Sequence, residues 1–312
     1  MKVHAPWLLL VTLVLASGFV DFRIRQFPNH AYEIYIPEVV DGSAEAPGRY
    51  RVLVPFMNAG IGHVTGGSPA AIWHVTRLAW FLLAYVVLYA YLKTWVDPAA
   101  ALGGVAAVAA TLPLTYTNSW AHADSIPELA LYSLGCLAIV RASAVGFGLV
   151  LVVAALNRET AAFLLVAYAL VNGQSLSGRV RTAGFTFLCG VVLVCLRLWR
   201  GVEHYDYWQL PRNIAFLGLL PTEYDLYKRT YAWFIVALAA PALVVIASRW
   251  ASVPRVARRL LFSAVPFTLT AVTLSSLIES RIFLPLYPLV MPALMCALLQ
   301  PTRSVEESTL GI

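Results

Sequence analysis

Residues 155–165 read ALNRETAAFLL, so an amide, a cation and an anion (Asn157, Arg158, Glu159) stand together inside a long apolar run. Arginine with carboxylates nearby suits a phosphate-bearing ligand. The guanidinium fork grips phosphate oxygens two at a time, and a carboxylate can take a proton. Residues of the same types recur in the other polar interruptions. Asp21 follows the first apolar run, and Arg49 and Arg51 sit in GRYRVLVPF. His122 and Asp124, with Glu128, lie in TNSWAHADSIPE, and Glu279 and Arg281 lie in ESRIFLPLYP. Ordinary ion pairing accounts equally well for any single one of them, for example Glu279 with Arg281, or Arg51 with a loop acid. Arg158 paired to a carboxylate, with Asn157 capping the helix that follows, would be an internal staple. His74 and Arg77 are three residues apart on one helix face, either pairing in a bundle interior or lining a wet cavity.

The elements that must position these groups are membrane spans. Of 312 residues, 60% are hydrophobic and 12% charged, against about 25% charged in soluble domains. Several apolar runs reach the length of about 20 residues that crosses a bilayer. The expected fold is an all-α polytopic membrane protein, residues 1–312 forming one integral membrane domain. The net charge of +6 is explained by orientation, since Lys and Arg collect in cytoplasmic loops, and not by nucleic acid. Spans are predicted over 6–20, 70–92, 99–116, 126–143, 182–198, 230–248, 259–277 and 282–299. Prolines 285, 288 and 292 should bend the start of the last one. The N-terminus resembles a signal peptide, with a basic start, an apolar run and small residues. It is read as a retained first helix because the rest of the chain is membrane-embedded. Cys136, Cys189, Cys195 and Cys296 all fall in apolar runs without zinc-type spacing, which predicts buried, reduced thiols.

Segment 145–172 is ambiguous by hydropathy: one interrupted span, or two short arms that enter and leave on the same side. Loop charge decides for the hairpin. With the N-terminus inside, a hairpin keeps Lys93, Arg141, Arg179, Arg181, Arg249, Arg255, Arg258, Arg259 and the tail 300–312 with Arg303 cytoplasmic. A single crossing would send every group after 172 outside. Arms of about 13 residues rise about 20 Å, which carries Asn157–Glu159 deep into a core about 30 Å thick. A polar turn at that depth must be buried in protein or line a wet cavity, and ionisable groups there suggest function. The outer loops are then 21–69, expected to form turns and short helices on the membrane, and 199–229. The second is rich in Trp and Tyr and carries a short interfacial helix at NIAFLGLL. Asp21, Arg49, Arg51, His122, Asp124, the Asn157–Glu159 apex, Glu279 and Arg281 all fall on the outer side, and neither an internal repeat nor a low-complexity segment is evident.

In order along the chain, GRYRVLVPF, ADSIPELALYSLGCLAIVRAS, ALNRETAAFLLVAYAL and ESRIFLPLYPLVMPAL resemble elements of small bacterial multi-spanning glycosyltransferases of the GT-C superfamily. The resemblance implies a GT-C-like bundle of about eight full spans plus a re-entrant hairpin. It also implies an extracytoplasmic active site in the inner (plasma) membrane, with both termini cytoplasmic. The donor would be a polyprenyl-phosphate-linked sugar, used in cell-envelope chemistry, with no other cofactor and no metal called for. An acid of the first external loop would be the base: Asp21, or Glu38 or Asp41 instead. Asp124 and Glu159 are the further catalytic candidates. Arg49, Arg51, His122, Asn157, Arg158, Glu279 and Arg281 are the substrate-binding set. The donor phosphate is expected among Arg49, Arg51, Arg158 and Arg281, with the sugar toward Asp21 and the Asp124 loop. Two readings from other classes fit the same residues: a transporter or flippase of a lipid-linked or amphipathic solute, and a catalytically inactive scaffold subunit.

Overall fold

The computed structural model describes residues 5–24, 30–115, 123–203, 208–216, 239–275 and 280–299, and among these residues the protein is helical, with no strand. The helices are α1 (Ala5–Ile24), α2 (Ile36–Asp41), α3 (Leu53–Thr65), α4 (Pro69–Leu92), α5 (Pro98–Thr111), α6 (Ser125–Val140) and α7 (Ala144–Asn157). They continue with α8 (Ala162–Asn172), α9 (Leu176–Arg200), α10 (Leu210–Phe216), α11 (Ala239–Ser248), α12 (Arg255–Leu274) and α13 (Leu286–Leu298). Local chemistry fixes several starts. Ser68, Asp97, Ser143 and Ser175 each accept a backbone N–H from the first turn of α4, α5, α7 and α9, and Pro69 and Pro98 occupy first helical positions.

Among the described residues two helices, α4 and α9, are long and apolar enough to cross a membrane. Other predicted spans are shorter than their apolar runs. The run 99–116 stops being α-helical at Thr111 and tightens into a 3₁₀ turn, Leu112–Thr115, around Pro113. The run 282–299 is divided at Pro285. The 3₁₀ turn Ser280–Phe283 precedes it, and α13 begins only at Leu286, with Pro292 inside it. Of 230–248, residues 230–238 lie outside the described residues and 239–248 form α11.

Segment 145–172 is a hairpin. The Phe147 and Tyr168 ring centroids are 4.5 Å apart, whereas 21 residues of straight helix would separate them by about 30 Å. The chain reverses at Arg158, whose backbone is extended, and restarts through the 3₁₀ turn Glu159–Ala161. Helix α9 lies along both arms, with Phe185 at 5.0 Å from Phe147 and 5.1 Å from Tyr168, and with Val192 and Leu196 beside Leu156 near the apex. Helix α12 runs antiparallel to α8: Phe267 meets Phe163 at 5.1 Å, and the Arg259 guanidinium donates to the Val171 carbonyl at 3.3 Å. Helix α1 lies antiparallel along α4 through Asp21–Arg77 and a 2.5 Å hydroxyl contact between Ser17 and Tyr85. The centre is filled by Phe81, Tyr85, Tyr91, Trp95, Tyr132 and Phe147, all fully buried.

Charge divides the bundle by end. One end holds the hairpin apex, the segment 30–52 and the C-terminus of α9. The other carries Lys93, Arg141, Arg179, Arg181, Arg249, Arg255, Arg258 and Arg259. Among the described residues its one acid is Asp97, whose carboxylate caps α5. None of these eight cations meets a carboxylate among the described residues. Cys136, Cys189 and Cys296 are buried, but Cys195 lies on the exposed face of α9, where an apolar run faces outward instead of into the core.

Candidate functional site

Three separate segments meet at the hairpin apex. Arg51 comes from the turn before α3, Asp124 and Glu128 from the first turn of α6, and Asn157 to Thr160 from the reversal itself. Arg51 donates through Nη1 to Asp124 Oδ2 at 3.1 Å and through Nη2 to Glu159 Oε1 at 3.2 Å. Arg158 bridges the same Asp124 oxygen, with Nε at 3.7 Å, and Glu128 Oε2, to which Nη1 donates at 2.7 Å. The Thr160 hydroxyl donates to Glu128 Oε1, and the Tyr132 hydroxyl donates to the Thr160 carbonyl. Asn157 Nδ2 donates to the Asp124 carbonyl at 2.9 Å. Asn157 therefore ties α7 to the start of α6; the expected cap on the second arm is absent, since no side chain caps α8.

Arg51, Asp124, Glu128, Asn157 and Arg158 are buried, while the Glu159 side chain is 36% exposed. Within this cluster three carboxylates face two guanidiniums. Burial opposes the charge on Arg51, but Glu159 and Asp124 beside it more than compensate, so its guanidinium stays protonated well above the ordinary range. The gap among Glu128, Tyr132, Asn157, Arg158 and Thr160 is too small for a water molecule. Even so, Arg51 Nε, Arg158 Nε and Asn157 Oδ1 are buried without a hydrogen-bond partner. Buried polar atoms are nearly always satisfied, so three such atoms in one cluster set it apart from an ordinary core.

The remaining expected site residues are distributed otherwise. Asp21 lies within α1, not in a loop, and is buried. Arg77 Nε and Nη2 both donate to its carboxylate at 3.1 Å, so it is already held as one half of an ion pair. Arg77 in turn sits over Trp73, 5.6 Å from the ring centroid, and His74 turns to the rings of Phe22 and Tyr32. Arg49 belongs to another cluster. It pairs with Glu203 at 3.3 Å and donates to the carbonyls of Ala44 and Gly42. Among the described arginines, Arg51 and Arg158 face carboxylates, and Arg49 lies apart from them, fastening segment 42–49 to the end of α9. Asp41 accepts from both the hydroxyl and the N–H of Ser43, which hold its carboxyl below the usual range and make it a weaker base. His122 and Glu279 lie outside the described residues. Arg281 is in the 3₁₀ turn Ser280–Phe283, and its side chain also lies outside them.

Four participants are not singled out by the sequence as site residues: Glu128, Thr160, Tyr132 and Glu203. Glu128 carries a readable signal, its four-residue spacing from Asp124, which places both on one face of the first turn of α6. Thr160 adjoins the Asn-Arg-Glu triplet. Tyr132 and Glu203 offer no local cue. Among the described residues no group of three or more His, Cys, Asp or Glu side chains is arranged to hold a metal ion. No protein-family model, curated protein or solved structure matches the chain.

Proposed function

We propose that this protein is a multi-spanning membrane glycosyltransferase of GT-C type. It would move a sugar from a polyprenyl-phosphate-linked donor to an acceptor on the extracytoplasmic face, with the basic end in the cytoplasm and the hairpin apex facing outward. The observation that carries the reading is the apex cluster. Charged groups from three distant segments are gathered at the turn of a hairpin, where keeping them buried is costly, and two of their nitrogens, with the amide oxygen of Asn157, are left without hydrogen-bond partners.

Glu159 takes the role of base in this reading, in place of Asp21. It is the part-exposed carboxylate of the cluster, and Arg51 donates to it at 3.2 Å. The acceptor hydroxyl gives its proton to Glu159 as its oxygen bonds to the anomeric carbon. The bond from that carbon to the phosphate oxygen breaks, and the electron pair leaves with the lipid phosphate. Arg158 and Arg51 hold Asp124 and Glu128 in place and complete their hydrogen bonding on substrate when the cluster opens. A positioned base of this kind contributes roughly 100- to 10,000-fold. The test is release or transfer of labelled sugar from polyprenyl-phosphate donors by the protein in proteoliposomes, wild type against Glu159→Gln. A loss of about 100-fold or more in the variant, at equal incorporation, is the expected result. Equal rates would remove Glu159 as the base.

A second reading, a catalytically inactive scaffold of the same fold, is favoured by one observation: every charged group of the buried cluster already has an opposite charge beside it. Absence of sugar release by the wild type from every donor tried, with the protein intact, would select it.

A further inference from the structure

We infer that the groove between the C-terminus of α8 and the N-terminus of α9, at the basic end, binds one anionic phospholipid. Its phosphate would sit on Arg179 and an acyl chain would lie along the groove. The groove is a shallow depression, open on one side, of about 570 Å³, within the range of about 300–1,000 Å³ typical of small-molecule sites. Ala169 on α8 and Ala183 and Phe187 on α9 supply apolar wall, joined by Thr182 and Thr186. The two threonine hydroxyls donate to carbonyls of their own helix, Gly178 and Thr182, so they present no unmet donor to a lipid chain.

Arg179 stands at one end of this wall. Its Nε donates to the Gly173 carbonyl at 3.2 Å, which fixes the plane of the guanidinium and leaves both Nη groups for a ligand. Two Nη groups in one fork match two phosphate oxygens. Among the described residues no acid of this end competes, because its one acid, Asp97, is spent capping α5. The surrounding cations also select against a zwitterionic headgroup, whose own positive charge they repel. Lipid is the occupant the setting favours: α9 is of membrane-spanning length and only 11% of its apolar window is buried within the protein, so its outer face meets acyl chains. The inference rests on the membrane reading above but not on sugar transfer.

The experiment is native mass spectrometry of protein purified in mild detergent and exposed to equal amounts of phosphatidylglycerol and phosphatidylcholine. The wild type should retain one phosphatidylglycerol in preference to phosphatidylcholine. Arg179→Ala should lower that retention about tenfold, the loss of one charge-assisted hydrogen-bonding group. Ala183→Trp, which fills the groove and keeps the arginine, should lower retention of both lipids. Arg141→Ala, a cation of the same end outside the groove, should change nothing. Equal retention of the two lipids by the wild type, or equal behaviour of the Arg179 and Arg141 variants, would overturn the site. Extraction of the protein from membranes by alkaline carbonate without detergent would instead remove the membrane reading itself.

Discussion

Asp124 holds a position no other apex residue shares, because one of its carboxylate oxygens faces both Arg51 and Arg158. Removing its charge leaves two buried guanidiniums with one acid each instead of two. Breaking a buried pair in this way costs about 3–5 kcal/mol. Asp124→Asn should therefore lower the melting temperature in detergent substantially. Glu203→Gln breaks only the part-exposed pair with Arg49 and should cost about 0–1 kcal/mol. Similar shifts for the two would mean that the apex charges are solvated. At this scale the sequence is partly readable. Asn157, Arg158 and Glu159 stand out because any charge is conspicuous in an apolar run, and Asp124 and Arg51 stand out in polar interruptions. Their pairing does not, since Arg51 reaches Asp124 across 73 positions and Glu159 across 108, a juxtaposition no local pattern encodes. Asp21 departs from its expected place for a related reason. The apolar run weakens at residue 20, but the helix continues to Ile24, so an acid expected in a loop is packed against α4.

The hairpin is the element on which the site depends, and its close turns carry the constraint. Gly178, in the first turn of α9, lies directly against the end of α8, and a Cβ there would lie 1.8 Å from the Asn172 carbonyl oxygen. A backbone atom cannot yield as a side chain can, so Gly178→Ala must open the α8–α9 turn and should be strongly destabilising. Gly184, further along the same helix, has nothing within 4 Å of a built Cβ. There Gly184→Ala should gain about 0.5–1 kcal/mol from helix propensity. Melting temperatures of the two variants, measured side by side, check both signs; destabilisation by Gly184→Ala would show that α9 is covered on that face. The hairpin itself is legible in the amino-acid sequence, but only through charge: hydropathy allows a single crossing, and the distribution of Arg between loops does not. Helix lengths are less legible. Apolarity continues through Pro113 and Pro285, while the α-helix does not, because proline removes the donor and the space that the helix needs.

At the scale of the whole molecule, the two ends differ in the way charge is handled. The apex end pairs Arg51 and Arg158 with acids gathered from separate segments, while the basic end leaves eight cations without carboxylates among the described residues. An excess of unpaired Lys and Arg at one end is what orientation in a membrane requires, and it would place the apex cluster outside. The direct test is thiol accessibility in intact cells, in a background with the native cysteines replaced. Ser175→Cys lies in the exposed turn between α8 and α9 at the basic end, and Ser43→Cys in the segment at the apex end. A membrane-impermeant maleimide should label position 43 in intact cells and position 175 only after permeabilisation. Labelling of position 175 from outside intact cells would contradict the arrangement and, with it, an outward-facing site at the hairpin apex.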